Sequence, residues 1–294
     1  MRTAYPYRKI DAFTSRASLG NPAACLYLTE GQRLTDGDML AIAAQHKGFV
    51  SEVVYCAEEG PEILLTYYSS ECEVDFCGHG TIACLYGLIR SRPDLLARKE
   101  IQIRTRRKGA LMVYNKIPEQ DAVFIAAPAP VHLGTDLGAD AIEAALGARP
   151  HPGLPIDRIN AGLNTLIVPL ADLKTEVSIF PDERRLKAFC EGNGVDIVLI
   201  YSMETARPDS VAHTRVFAPK FGYLEDPATG SGNSAFGSYM LKNGLWDGSD
   251  CRVEQGGEDR VFNEVRLACA DGQVLFGGSA TVRIEGVHYW DDEA

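Results

Sequence analysis

Two segments of the sequence combine acidic residues with a glycine-rich turn, at residues 73–80 and 225–232. Each follows a strand-like stretch, and each precedes an apolar run, residues 81–89 or 234–241, that predicts a helix. A glycine-rich turn at a helix start presents free backbone N–H groups and the positive end of the helix dipole. The two turns therefore predict a pair of sites that suit a carboxylate or another small anion.

Glu52 is a candidate base. It follows Ser51 and opens a β-branched stretch, which predicts a position at the end of a strand. Moving a proton between carbon atoms needs a carboxylate or thiolate held at the substrate. By itself the sequence favours an ordinary surface carboxylate at such a place, so the role of Glu52 depends on its neighbours.

His79 and Cys77 belong to the first glycine turn. A histidine there can donate a hydrogen bond to a carboxylate or act as acid or base, and the helix end should keep it neutral. Cys77 could act as a thiolate base. Its aligned position in the second turn is Thr229, whose hydroxyl is far too weakly acidic to match a thiolate. A symmetric two-thiol racemase is therefore not expected, and a small packing residue is the simpler interpretation of Cys77.

The two halves of the chain match weakly but in order, which predicts a duplicated unit. Each half contains a strand, a capped helix, a second strand and then the glycine turn. The matched stretches are residues 20–28 with 162–170, 35–44 with 180–189, 52–56 with 196–201, and 78–80 with 230–232.

Composition limits the classes of function. The chain has 294 residues, of which 46% are hydrophobic and 23% charged, as expected of a globular protein with two lobes. A formal charge of −11 argues against nucleic acid or an anionic membrane as partner. The absence of a long apolar run and of a signal-like start predicts a cytoplasmic protein. The eight cysteines lack C-x-x-C spacing, and no nucleotide-binding glycine motif occurs, so neither a metal nor a cofactor is expected.

The motifs together resemble those of the PhzF family, named after the phenazine-biosynthesis isomerase, within the diaminopimelate epimerase fold. The resemblance runs through nearly the whole chain and rests on Asp11-Ala-Phe-Thr, Gly20-Asn-Pro, Ser51-Glu52, residues 73–81, Glu225-Asp-Pro-Ala-Thr-Gly-Ser, Glu254-Gln-Gly and Gly277-Gly-Ser-Ala.

This resemblance implies an α+β fold of two pseudo-symmetric lobes, each a curled, mostly antiparallel sheet around a central helix, with the site between them. It places residues 1–126 in the N-terminal lobe and residues 127–278 in the C-terminal lobe. The final strand, about residues 279–290, is expected to return to the first lobe. The resemblance also suggests a homodimer.

The resemblance implies roles for individual residues as well. Glu52 shuttles the proton, His79 belongs to the site, and Asp226, whose loop is restrained by the following proline, orients an amino or hydroxyl group. Substrate-binding positions are Ser51, Gly78, Gly80, Gly230 and Ser231. Further candidates are Cys77, Thr229 and Asn21.

The sequence therefore predicts a cofactor-independent isomerase that moves a proton on a small cyclic or amino-substituted carboxylic acid. The expected partner is a small anionic metabolite. Two alternatives stay open. One is an amino-acid epimerase or dehydratase that uses Cys77, and the other is a non-catalytic family member that binds a metabolite.

Overall fold

The computed structural model describes residues 2–15, 18–60, 62–256 and 261–291. The chain divides into two compact units. Unit 1 comprises Met1–Thr14, Leu19–Ile125 and Gly277–Ala294, and unit 2 comprises Ser15–Ser18 and Ala126–Phe276.

Strands and helices follow one another in a mixed order along the chain. The strands are β1 (Arg2–Ala12), β2 (Asn21–Leu28), β3 (Glu52–Glu59), β4 (Glu62–Ser69), β5 (Glu73–Val74), β6 (Glu100–Thr105), β7 (Gly109–Lys116), β8 (Ala122–Ala126), β9 (Val131–His132), β10 (Asp157–Asn160), β11 (Asn164–Pro169), β12 (Ile197–Ser202), β13 (Ala212–Phe217), β14 (Glu225–Asp226), β15 (Cys251–Gln255), β16 (Asn263–Ala270), β17 (Gln273–Gly278) and β18 (Ala280–Asp291). The helices are α1 (Asp36–Gln45), α2 (Gly78–Ser91), α3 (Pro93–Leu96), α4 (Ile117–Gln120), α5 (Ala139–Leu146), α6 (Leu173–Val177), α7 (Glu183–Gly192) and α8 (Gly230–Lys242).

The sheet of unit 1 runs in the order β18, β1, β2, β3, β4, β6, β7, β8, and the short β5 adds to β4. The pairs β2–β3 and β4–β6 are parallel, and the other pairs are antiparallel. In this register Glu52 lies opposite Ala23 of β2 and opposite Ser69 of β4.

The sheet of unit 2 repeats this arrangement. Its order is β9, β10, β11, β12, β13, β15, β16, with the short β14 added to β13. The parallel pairs are β11–β12 and β13–β15. From β10 to β16 the alternation of parallel and antiparallel pairs is the same as from β1 to β7, which is the topology that the sequence repeat predicts.

Each sheet packs against one apolar helix. All residues of α2 from Gly80 to Ile89 are buried, and α2 contacts β1, β2, β3 and β18. Helix α8 is buried from Gly232 to Met240 and contacts β10, β11, β12 and β16. Because both helices are buried on every side over most of their length, they are stable only when strands surround them.

The opposite face of each sheet is covered by a capped helix. Thr35 and Asp38 form a capping box at the start of α1, and Asp182 caps α7. Helix α1 packs on β3 and β4, and the apolar side of α7 packs against residues of β11 and β12. Each sheet is therefore a layer between a buried central helix and an outer helix.

The sequence also predicts strands at residues 101–105, 110–114, 123–127, 261–268 and 273–276. They match β6, β7, β8, β16 and β17 within a few residues at their ends. The helices predicted at 81–89 and 234–241 begin earlier, at Gly78 and Gly230, because the glycines form the first helical turn themselves. The Asp-Gly pair of Ala270-Asp-Gly-Gln predicts a hairpin turn, and the structure has positive φ at Asp271 and Gly272, as a type I′ turn requires. All eight cysteines are free thiols. None of the described helices is long and apolar enough to cross a membrane.

Candidate active site

Strand order brings the start of β3 and the start of α2 together in unit 1. The end of β4 lies beside Glu52 because β3 and β4 are antiparallel, with Glu52 opposite Ser69. The chain then turns back in β5, which pairs with Tyr67 and Tyr68, before α2 begins. Residues far apart in the sequence therefore meet at this end of the sheet.

Glu52, Cys77 and His79 form a cluster at this place. His79 Nε2 lies 3.2 Å from Glu52 Oε2, and Cys77 Sγ lies 3.5 Å from His79 Nδ1 and 3.8 Å from Nε2. Cys77 is buried, while 20% of the Glu52 side chain and 13% of the His79 side chain remain accessible. The structure thus joins a carboxylate, an imidazole and a thiol in one partly accessible place.

Cys77 also holds the start of α2. Its Sγ accepts a hydrogen bond of 3.2 Å from the amide of Gly80, and its carbonyl accepts from the amide and the hydroxyl of Thr81. A Cβ added at Gly80 would lie 2.8 Å from Val54 Cγ2 and 2.9 Å from Cys77 Sγ. The thiol therefore has a structural role as the helix N-cap, and glycine is required beside it.

The pKa values of Cys77 and His79 in the cluster are both shifted from their usual values. Burial raises the pKa of Cys77, and the nearby His79 offsets this only in part. Burial lowers the pKa of His79, but Cys77 and Glu52 raise it more, so it lies well above its usual value. This direction runs against the expectation that the helix end keeps His79 neutral, because Cys77 and the carboxylate of Glu52 3.2 Å away oppose the partial charge of the helix terminus.

The same three side chains could hold a metal ion. One ligand atom from each of Glu52, Cys77 and His79 lies within 4.8 Å of the others. The sequence predicts no metal cluster, because Glu52 is far from the Cys77-Gly-His79 segment along the chain. Only the pairing of β3 with β4 brings the carboxylate to the other two.

Unit 2 has an equivalent helix start. Thr229 is the N-cap of α8 with φ −120° and ψ 106°, and Cys77 has φ −129° and ψ 107° at the start of α2. The backbone therefore supports the alignment of Cys77 with Thr229. Their hydrogen bonds differ, because Thr229 makes no side-chain cap and instead donates its hydroxyl to the carboxylate of Asp226.

Gln255 holds this loop from β15. Its Oε1 accepts from the amide of Thr229 at 2.9 Å and from Asn233 Nδ2 at 2.7 Å. Its Nε2 donates to the carbonyl of Asp226 at 2.9 Å and to Thr229 Oγ1 at 3.1 Å. Gln255 is completely buried, so it positions the aspartate rather than contacting solvent. The sequence predicts no role for Gln255. The only sequence signal for one is that Gln255 lies in the Glu254-Gln-Gly motif.

Backbone amides at both helix starts are available for an anion. In α2 the amides of Gly78 and His79 lie before the first amide that forms an intrahelical hydrogen bond. In α8 the same holds for Gly230, Ser231 and Gly232, since the amide of the next residue already bonds to the Thr229 carbonyl. Gly230 has no space for a side chain, because an added Cβ would lie 2.2 Å from Phe276 Cε2.

The remaining candidates of unit 1 lie at the same end of its sheet. Ser51 is exposed and directly precedes β3, and Asn21 is the buried first residue of β2. Strands β2 and β3 are parallel, with Ala23 opposite Glu52, so both residues are near the start of this strand pair. The candidates of unit 2, Asp226, Thr229, Gly230 and Ser231, lie together at the start of α8.

The structure combines duplicated α+β units, each with a buried helix, and a carboxylate–imidazole–thiol cluster at one helix start. Curated relatives of the chain are named isomerases, which assigns it to the isomerase class of enzymes. The family model for phenazine biosynthesis-like proteins, PhzC-PhzF, matches residues 10–286. The chain belongs to this family.

Similar proteins agree with this assignment. The "Uncharacterized isomerase YfhB" of Bacillus subtilis (strain 168) is 29% identical over 291 residues, which cover 97% of this chain and 96% of the relative. A PhzF-family structure from Bacillus anthracis has a TM-score of 0.82 at 23% identity and covers 97% of this chain and 99% of its own. A hydroxyproline epimerase from Agrobacterium vitis, solved with bound trans-4-hydroxy-L-proline, has a TM-score of 0.54 at 13% identity. The match covers 98% of this chain and 93% of that protein's chain. These structural likenesses confirm the predicted α+β fold.

Proposed function

We propose that the protein is a cofactor-independent isomerase that moves a proton on a small cyclic or amino-substituted carboxylic acid. The observation that carries this proposal is the environment of Glu52. Its Oε2 atom is buried and lies 3.2 Å from His79 Nε2, with which it forms an ion pair when the imidazole is protonated. A partly covered carboxylate beside an imidazole suits a base that receives a proton from carbon.

In this mechanism Glu52 removes a C–H proton next to the substrate carboxylate or amino group and returns it to another carbon on the same face. One base is enough, because the proton stays on Glu52 between the two transfers. His79 lies beside the same oxygen and stabilises the charge that develops in the substrate through a hydrogen bond. Cys77 holds the helix start that positions His79.

The substrate is proposed to be an anion. Amides in the first turns of α2 and α8 suit a carboxylate, and such local dipoles can outweigh the negative net charge of the chain. Asp226 is proposed to orient an amino or hydroxyl group of the substrate. Its carboxylate accepts from Thr229 and its carbonyl accepts from Gln255, so its position is well determined.

Proton exchange followed by NMR in D2O tests the proposal. The panel is trans-2,3-dihydro-3-hydroxyanthranilate, diaminopimelate, proline and hydroxyproline, each offered to the wild type and to Glu52→Gln. Loss of a positioned base typically costs 10²–10⁴-fold in rate, so Glu52→Gln should lose at least about 100-fold. The matched control is Glu58→Gln on the same strand, where the carboxylate is exposed and pairs with Arg92.

Isomerisation or deuterium uptake that Glu52→Gln abolishes and Glu58→Gln retains would establish the role of Glu52 and identify the substrate class. Exchange that survives in Glu52→Gln would reject this mechanism. It would favour the second candidate, an epimerase or dehydratase that uses Cys77, which is supported by the 3.5 Å distance between Cys77 Sγ and His79 Nδ1.

A further inference from the structure

We propose that Glu52, Cys77 and His79 form a three-ligand site for Zn²⁺ and that an ion bound there blocks the acid–base chemistry of the protein. A thiolate, an imidazole and a carboxylate are the three ligand types that Zn²⁺ accepts in proteins. Three protein ligands and one open position are the arrangement of solvent-accessible zinc sites, whereas closed structural sites have four protein ligands.

The two distances from His79 Nε2 to the other ligand atoms are close to those around a tetrahedral ion. With Zn–S of about 2.3 Å and Zn–N and Zn–O of about 2.0–2.2 Å, neighbouring ligand atoms in a tetrahedron are roughly 3.3–3.7 Å apart. In the structure His79 Nε2 lies 3.2 Å from Glu52 Oε2 and 3.8 Å from Cys77 Sγ. The ligand atoms of Glu52 and Cys77 lie within 4.8 Å of each other, so this pair would approach by up to about 1 Å to complete the coordination.

The ligands are held in place before any ion binds. The backbone of Glu52 is fixed by pairing with both β2 and β4, and the thiol of Cys77 is fixed as the N-cap of α2 through the Gly80 amide. A thiolate and a carboxylate together neutralise the charge of a divalent cation. A neutral complex is favourable in a place where Cys77 is buried and the other two side chains are mostly covered.

Metal binding and proton transfer use the same atoms. An ion at this site would occupy Glu52 Oε2, which the proposed reaction needs as its base, and His79 Nε2 beside it. Zn²⁺ would therefore act as a reversible inhibitor that competes with turnover. This inhibition depends on the proposed function, whereas the binding of the ion depends only on the geometry of the three side chains.

Binding is measured by adding Co²⁺ to chelator-treated protein, because Co²⁺ replaces Zn²⁺ and its spectrum reports tetrahedral coordination and a thiolate ligand. We expect one Co²⁺ per chain, a thiolate-to-cobalt charge-transfer band, and loss of that band when Zn²⁺ is added. Cys77→Ser should abolish the band and weaken Zn²⁺ binding by more than about tenfold, since even outer-shell changes cost 10–100-fold. Serine is a favourable N-cap, so the helix start is retained.

The matched control is Cys72→Ser, which removes an exposed thiol close in sequence. A band that persists in Cys77→Ser, or one that disappears equally in Cys72→Ser, would overturn the zinc site. Glu52→Gln should keep the thiolate band but bind the ion more weakly, and an unchanged affinity would remove Glu52 from the site. If Zn²⁺ binds through Cys77 without slowing turnover, the metal site stands and the catalytic assignment of Glu52 fails. If the ion does not bind while Glu52→Gln is inactive, the catalytic assignment of Glu52 stands and the metal site fails.

Discussion

Cys77 and Thr229 occupy equivalent backbone positions at the starts of α2 and α8 but make different contacts. The thiol accepts from a helix amide, whereas the hydroxyl donates to Asp226. Duplication has therefore kept the backbone while the side-chain chemistry of the two helix starts diverged. A pair of equivalent thiols cannot operate here, which agrees with the proposal that the carboxylate of Glu52 is the base.

Replacing Cys77 tests this conclusion at the level of one residue. We expect Cys77→Ser to keep turnover within about tenfold of the wild type, because the loss of a true general base would cost 10²–10⁴-fold. The measurement is the NMR exchange assay with the substrate that the panel identifies, alongside Cys72→Ser. A Cys77→Ser protein that is folded but inactive would favour the epimerase or dehydratase alternative.

At the scale of secondary structure, one glutamine connects three elements of unit 2. From β15, Gln255 bonds to Asp226 of β14 and to Thr229 and Asn233 at the start of α8. A buried amide with two donors and a carbonyl can satisfy all these groups at once. The position of the Asp226 carboxylate therefore depends on a residue that does not itself reach solvent.

We expect Gln255→Ala to lower the free energy of unfolding by about 3 kcal/mol, because it leaves several buried polar groups without partners and opens a cavity. Turnover should also fall in the protein that remains folded, since Asp226 loses its support. Urea unfolding and the exchange assay measure the two effects. The control is Gln102→Ala on β6, an exposed glutamine whose loss should change stability by less than about 0.5 kcal/mol. Equal effects of the two substitutions would contradict the role of Gln255.

At the scale of the whole molecule, stability should depend on pH through a buried pair in unit 2. His213 and Glu176 are fully buried, with His213 Nδ1 3.1 Å from Glu176 Oε1. Burial, and to a lesser degree Arg215, lower the pKa of His213 to about 3. Burial raises the pKa of Glu176 well above its usual value, although Arg215 opposes this. The pair is therefore neutral in the folded protein near pH 6.

Glu176 and His213 change the stability of the folded protein in opposite directions as pH rises. Above about pH 4.5 the unfolded state loses the proton of Glu176 while the folded state keeps it, so this contribution to stability falls as pH rises toward the folded pKa. The contribution of His213 is present above about pH 6.5 and is lost as pH falls toward 3. Between about pH 4.5 and 6.5 the two slopes of stability against pH cancel. Above about pH 6.5 only the loss of stability from Glu176 remains.

We therefore expect Glu176→Gln to gain stability relative to the wild type as pH rises from 5.5 to 8, by up to about 1.4 kcal/mol per pH unit below the folded pKa. Urea unfolding at several pH values measures the gain. Glu191→Gln, which removes an exposed carboxylate of α7, should show no such trend. Parallel pH profiles for the wild type and Glu176→Gln would show that Glu176 is ionised when folded.

The local features of the chain could be predicted because they depend on neighbouring residues. Helix caps at Thr35 and Asp182, the type I′ turn at Asp271-Gly272, and the buried helices after each glycine turn all follow from short patterns of propensity and burial. The motif set identified the family and the α+β fold. The ordered repeat predicted two units of the same topology, because each strand–helix–strand segment carries its own pattern of hydrophobic residues.

The tertiary structure decided how the predicted residues act on one another. Glu52 meets Cys77 and His79 only because β3 and β4 pair with Glu52 opposite Ser69, and a register of that kind is not encoded within either segment alone. Part of the rise in the pKa of His79 comes from Glu52 through that contact, and the larger part comes from the adjacent Cys77. The role of Gln255 likewise depends on three elements that meet in space. Sequence by itself determined the elements, the repeat and the reactive residue types, whereas distances, charge states and hydrogen-bond partners required long-range packing.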